Sequence, residues 1–311
     1  MAGDPRPHHR RMESASEHLR LLARRIVDET RRRVALRAAL LAGSAGRGDA
    51  DHYSDIDLLL YVDQIPSPEV VAAVRQAVGG IGGGPKVQPT ELFSTEELDL
   101  SGARVELSFT AVSWMDRRLD DLLERLVDFD SPSQKILSGV LEGLPLYGQE
   151  LIGRWKARVE CYPEPLRWKM VQRYWSFFPL WYGSAAMAKR DAELWRLDVL
   201  IDAAFNLLGV LAGLNRLYFT RFQFKRTRAF VASMKIAPAR LAERLESLFR
   251  LDPESAAAEL GRLVEETAAL VKEELPGFHV ELRFPPGTAQ QPWSSEISKG
   301  PAVARTIGRH D

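Results

Sequence analysis

Residues 41–62 read LAGSAGRGDADHYSDIDLLLYV, and their pattern decides the fold. The segment Val34–Ala42 is apolar apart from Arg37 and ends at Gly43-Ser44, which reads as a strand running into a tight turn. Ser44 to Ser54 is a polar loop carrying two further glycines. Asp55 to Asp63 (DIDLLLYVD) is a second strand with acids at its start. On a strand, side chains at i and i+2 point the same way, so Asp55 and Asp57 project together while Ile56 turns to the core.

Two carboxylates side by side repel each other unless a cation sits between them. Mg²⁺ suits such a pair, because it prefers hard oxygens and commonly sits on one or two carboxylates plus substrate phosphates. Two ions roughly 4 Å apart would clamp the attacking and leaving oxygens of an in-line displacement. The loop before the acids supplies the phosphate end. Gly43 lets the backbone turn sharply and approach a ligand. Ser44 offers a hydroxyl and an N–H, and Arg47 can pair with phosphate oxygens in a forked geometry. Taken alone, an Asp-x-Asp pair is more often two solvated acids at a strand start.

A third acid completes such a set. Ala103–Val112 (ARVELSFTAV) alternates polar and apolar residues and reads as a third strand, with Glu106 in its middle. Glu106 is the candidate third metal ligand or proton acceptor. The plain alternative is the solvent face of a half-buried strand.

Around this centre the periodicity predicts helices at 16–33, 68–78, 112–128 and 133–142, with Gly79–Pro85 (GGIGGGP) a flexible loop. Residues 16–150 are expected to form an α+β domain on a small mixed sheet. The stretch 151–282 is rich in Leu, Ala, Arg and aromatics and predicts a separate all-helical bundle of four to five helices, with Leu194–Leu217 at its centre. Residues 1–15 and 283–311 are expected to be disordered tails.

The motif Leu41-Ala42-Gly43-Ser44, ten residues, then Asp55-Ile56-Asp57-Leu58 resembles the signature of the DNA polymerase beta-like nucleotidyltransferase superfamily. That signature is an apolar residue, Gly, Gly or Ser, about ten residues, then Asp, apolar, Asp or Glu, apolar. Family members carry a third carboxylate on a later strand, which maps onto Glu106. In layout the chain looks most like the aminoglycoside and lincosamide nucleotidyltransferases, which join a small catalytic domain to a helical bundle. In some of these a glutamate of the helical domain acts as base, with a lysine one turn later on phosphate. Here Lys189 has Ala185 four residues before it, so the pair is not reproduced, and Glu106 becomes the default base.

The resemblance implies transfer of a nucleoside monophosphate, AMP from ATP or another NTP, to a hydroxyl of a small molecule, with pyrophosphate released. Asp55, Asp57 and Glu106 would hold two Mg²⁺ ions, and Gly43, Ser44, Arg47 and Lys189 would hold the nucleotide. The same chemistry on a protein, as in antitoxin-like members, and a non-catalytic nucleotide-binding module are the alternatives. The resemblance also leaves a homodimer open.

Composition narrows the partners. Lys plus Arg and Asp plus Glu number 42 each, which argues against a large nucleic-acid partner. The polar N-terminus and the single cysteine, Cys161, lead us to expect a cytoplasmic protein. No run of 18 apolar residues suggests a membrane span.

Overall fold

The computed structural model describes residues 6–129, 131–178, 187 and 189–279. A six-stranded mixed sheet has the order β3-β4-β5-β2-β1-β6. The strands are β1 (Leu36–Leu41), β2 (Ile56–Val62), β3 (Ile81–Pro85), β4 (Phe93–Leu100), β5 (Ala103–Ala111) and β6 (Leu144–Tyr147). β1 runs antiparallel to β2, β2 parallel to β5, and β5 antiparallel to β4. The fold is α+β, as expected.

Alternation along the strands divides the sheet into two faces. On one, Ile56, Leu58 and Leu60 of β2 join Val105, Leu107 and Phe109 of β5. Helices α1 (Arg6–Arg31) and α3 (Pro68–Val78) cover this face with Leu19, Ala23, Ile26 and Val27 and with Val71, Val74 and Val78. On the other face Tyr61 meets Trp155 edge-on at 4.6 Å, and the Trp155 indole N–H donates to Asp116 at 2.7 Å. Trp155 stands on α6 (Gln149–Glu160) and Asp116 on α4 (Val112–Leu123); α5 (Ser131–Glu142) lies between them in sequence. Asp57 and Glu106 belong to this second face.

The helices at 68–78 and 133–142 and the strands within 34–42, 55–63 and 103–112 match the expectation. At other places the structure differs. The Gly79–Pro85 stretch is not a free loop: Ile81–Pro85 pairs with β4 as the edge strand β3, with a register shift between Ile81 and Gly84. Gly83 makes that possible, because it has a φ of 91° and any Cβ there would collide with the Glu97 carbonyl. Nothing in the sequence reading anticipates β4. α4 ends at Leu123, and Leu126 and Asp128 then take left-handed backbone. α1 begins at Arg6, within the stretch expected to be a disordered tail; residues 1–5 and 280–311 lie outside the described residues.

The expected boundary at residue 150 is also not where the chain divides. One compact unit comprises the residues up to Trp175 together with Phe205–Ala237; the other comprises Ser176–Ala204 and the residues from Pro238. The sheet therefore shares its unit with helical segments assigned by sequence to a separate bundle: α6, α7 (Glu164–Tyr174), the second half of α8 (Glu193–Leu214), a 3-10 turn (Arg221–Arg226) and α9 (Thr227–Ala232). Within this unit Tyr174 packs edge-on to Phe205 and Phe219 at 5.7 and 5.4 Å. Gly209 admits the Tyr174 ring, whose Cδ2 lies 2.6 Å from where a Cβ would stand.

The second unit includes α10 (Leu241–Ser247) and α11 (Pro253–Glu274). Arg244 joins them through Glu259 at 2.5 Å and Glu266 at 2.8 Å. The Asp252 carboxylate caps α11 by accepting from the N–H groups of Glu254 and Ser255. α8 is long and apolar enough to cross a membrane, with a mean hydropathy of 1.8, yet 67% of that stretch is buried within the protein, as in a core helix.

Candidate active site

The site is built where β1 ends. Ala42 donates its N–H to the Asp57 carbonyl at 2.9 Å, which seats the Gly43 turn directly against the start of β2. The chain then makes the short helix α2 (Gly43–Arg47). Gly43 has a φ of 64°, and an ideal Cβ there would stand 2.5 Å from Oδ2 of Asp57. Backbone conformation and available space both demand glycine. Ser44 follows, and its carbonyl accepts the N–H groups of Gly48 and Asp49 at 2.9 and 3.1 Å. Arg20 reaches over from α1 and donates to the Ala45 and Gly46 carbonyls at 2.9 and 2.8 Å, fixing the turn from behind.

Strand register lines up the acids. Asp57 of β2 stands opposite Glu106 of β5, and Glu106 stands opposite Glu97 of β4. Three carboxylates thus lie in one row across three strands, with Asp55 two residues ahead on β2's own face. Lys86 answers two of them, at 2.5 Å from Glu106 and 2.9 Å from Glu97. Arg104 meets Asp55 at 3.2 Å. Ser108 donates to the other oxygen of Glu106 at 3.4 Å.

Asp57 is the carboxylate most at odds with its surroundings. Burial raises its pKa above the ordinary aspartate value, and the charges of Asp55 and Glu106 push the same way; Lys135 and Lys86 oppose the rise. A compact cation beside it would offset both the burial and the repulsion. Among the described residues no three His, Cys, Asp or Glu side chains converge closely enough to hold an ion by themselves. Asp55 and Asp57 nevertheless fit Mg²⁺ in its usual manner, one or two carboxylates with the remaining positions left to substrate phosphate and water. Glu106 is the next acid in the row, and Lys86 now holds it.

The structure places Gly43 against Asp57 and Glu106 opposite it, with Asp55 two residues ahead on the chain and Ser44 next in the turn. Arg47 is not directed as expected. It pairs with Asp49 at 3.2 Å and with Glu142 at 3.3 Å, and Arg226 shares both carboxylates at 3.3 Å each. The guanidinium is thereby committed to Asp49 and to Glu142 of α5. Lys189 is exposed and belongs to the second compact unit. Among the aromatics of the helical stretch, the Tyr174 ring is core, while Trp181 and Tyr182 lie outside the described residues.

Sequence reasoning missed Glu97, Lys86 and Lys135. Only the alternation of Thr95, Glu97 and Asp99 in FSTEELDL could have announced Glu97. Lys135, on α5, lies close enough to Asp57 to lower its pKa and sits 4.4 Å from the Phe222 ring, which Lys225 also approaches at 5.6 Å.

A nucleotidyltransferase-domain family model matches residues 23–129. No curated protein matches the chain. Among solved structures, a nucleotidyltransferase-like protein from Exiguobacterium sibiricum is similar at 12% identity and a TM-score of 0.32, over 85% of this chain and 78% of that one. The Cid1 poly(U) polymerase with MgGTP bound is similar at 20% identity and a TM-score of 0.22, over 44% of this chain and 42% of that one. The Gly43-Ser44 turn, the Asp55/Asp57 strand and Glu106 all fall inside the matched stretch, so residues 23–129 match the nucleotidyltransferase-domain family over the turn and the whole row of acids.

Proposed function

We propose that this enzyme moves AMP from ATP to a hydroxyl of a small molecule, with aminoglycosides and lincosamides the first acceptors to test. The acceptor oxygen attacks the α-phosphorus, the bond from that phosphorus to the bridging oxygen breaks, and pyrophosphate leaves. The acceptor's proton passes to Glu106. The observation that carries this reading is the half-buried Asp57 carboxylate, with Asp55 beside it and Glu106 opposite in the parallel register.

Asp55 and Asp57 would hold Mg²⁺, which supplies charge neutralisation for the polyphosphate. Gly43 keeps the backbone low beside Asp57, so the phosphates can approach the turn, and Ser44 offers its hydroxyl and N–H to them. Lys135 stands where a cation can meet phosphate oxygens near Asp57. The Phe222 ring, 52% exposed and beside Lys135, offers a face on which the base can stack. The protein's share of catalysis is positioning and fixed charge. A free, exposed thiol at Cys161 supports a reducing compartment, the cytoplasm.

The test is pyrophosphate release from each NTP with Mg²⁺ across a panel of aminoglycosides, lincosamides and candidate protein acceptors, with Asp55→Ala/Asp57→Ala as control. Release that requires one small acceptor and disappears in the double variant supports the proposal. Release that requires a protein acceptor instead moves the substrate class to protein AMPylation. Mg-ATP binding without release on any acceptor sinks the small-molecule reading.

A further inference from the structure

α4 turns one face away from the core, and that face is not the mixed polar surface typical of an exposed helix. Met115, Leu119 and Leu122 are buried. Trp114, Arg117 and Arg118 of α4 and Arg125 just past its end line a cleft of about 620 Å³, with Ile136 of α5 and Leu92 ahead of β4 supplying apolar wall. The volume lies within the range of small-molecule pockets, roughly 300–1,000 Å³. Every lining residue belongs to the first compact unit.

The charge of the lining is one-sided. Three arginines face a single aspartate, Asp121, in a chain whose total charge is zero. Arg125 closes on Asp121 at 2.6 Å. Arg118 is steadied by Ser133 at 2.5 Å and by Asp128 at 3.3 Å. Arg117 is exposed and makes no ion pair among the described residues. A flat indole, an unpaired guanidinium with a second one held in place beside it, and an apolar wall form a consistent set. The ring and the wall accept a planar heterocycle, and the guanidiniums accept a phosphate by forked hydrogen bonds.

The catalytic acids stand apart from this lining. Asp55, Asp57 and Glu106 are absent from it, and its one carboxylate, Asp121, is already taken up by Arg125, so the phosphate contacts offered here are guanidiniums.

We infer that the cleft between α4 and α5 is a second, metal-independent site for a nucleoside monophosphate, with the base against Trp114 and the phosphate on Arg117 and Arg118.

Calorimetric titration of the full chain tests it, using the Asp55→Ala/Asp57→Ala background in EDTA so that the catalytic centre is disabled. AMP is the probe, with adenosine and inorganic phosphate as its two separated parts. The expected result is saturable one-site AMP binding, at least about tenfold tighter than either part, because the two contacts then act in one molecule. Arg117→Glu and Trp114→Ala, each confirmed folded by an unchanged melting profile, are each expected to weaken AMP binding about tenfold or more. In the otherwise native enzyme, Arg117→Glu leaves basal pyrophosphate release unchanged. No saturable AMP binding in EDTA, or binding that both variants leave intact, overturns the inference. A failure of nucleotidyl transfer in the native enzyme leaves this measurement standing, since it reads binding alone.

Discussion

Lys86 and Glu106 share a hydrogen bond of 2.5 Å, so the third acid of the row already carries a cation that belongs to the protein. Lys86 is itself held above its ordinary pKa by Glu106 and Glu97, which keeps the ammonium charged throughout the working pH range. If Glu106 joins the metal shell, Mg²⁺ must compete with that ammonium. Lys86→Met is therefore expected to lower the Mg²⁺ concentration for half-maximal pyrophosphate release several-fold, up to about tenfold for ~1.4 kcal/mol of lost competition. An unchanged Mg²⁺ dependence with a fall in kcat would leave Glu106 outside the metal shell, acting on the acceptor's proton alone.

Gly43→Ala tests the close approach to Asp57. The new methyl would enter the space of Oδ2 at a backbone conformation that L-residues avoid. Stability should fall by ~1 kcal/mol or more, and displacement of Asp57 by even about 1 Å should cost on the order of 10²-fold in kcat. Thermal melts and steady-state kinetics read the two effects separately. Activity within twofold of the parent protein would show that the turn gives way without moving Asp57.

Asp57→Asn separates function from stability. Because burial and like charges raise the native pKa, the ionised carboxylate is a burden on the fold. Unfolded chains release this proton first, so stability falls as pH rises from the ordinary aspartate value, about 3.9, through the raised native one. At pH 7 the amide should melt no lower than the parent protein in EDTA, while activity drops by at least about 10²-fold. A lower melting temperature would mean that the carboxylate is structural.

Asp252→Ala probes the opposite sign in the second unit. The Ser255 hydroxyl first, and then the helix N–H groups that Asp252 accepts from, hold its pKa down, so its stabilisation is present above the ordinary aspartate value and lost as pH falls through the lowered native one. The substitution should reduce the melting temperature at pH 7, and the difference should shrink below about pH 3.9. A difference that stays constant from pH 7 to pH 3 would rule out the charged cap as its source.

Gly209→Ala tests packing. The ring it abuts is braced by Phe205 and Phe219, so the methyl cannot be absorbed by a simple rotation. Overpacking of this kind costs ~1–3 kcal/mol, readable as a lower denaturant midpoint at unchanged slope.

The parts of the site that were legible in the sequence are those where local spacing does the work. Gly43, Ser44, Asp55 and Asp57 fall within one strand-turn-strand stretch, and Glu106 stands out as a charge inside an alternating strand. Glu97, Lys86 and Lys135 were not legible, because strand register and a helix from elsewhere in the chain bring them in. Arg47 shows the reverse. Its position in the loop suggests phosphate, but Glu142 reaches it from 95 residues away, a distance at which no spacing rule operates. The helical bundle misled for a similar reason: periodicity identifies helices but not which compact body they join.

The row of acids also dates its own assembly during synthesis. β1 and β2 are neighbours in sequence and can pair as soon as both have left the ribosome. β2 and β5 are parallel, and residues 63–102 must be translated and closed into a loop before Asp57 finds Glu106. Until Ala111 has emerged, the nascent chain displays Asp55 and Asp57 on an incomplete sheet, with neither the lysine nor the opposing glutamates in place. The row of carboxylates therefore cannot close until the first third of the chain has been made, and its charges go unanswered until then.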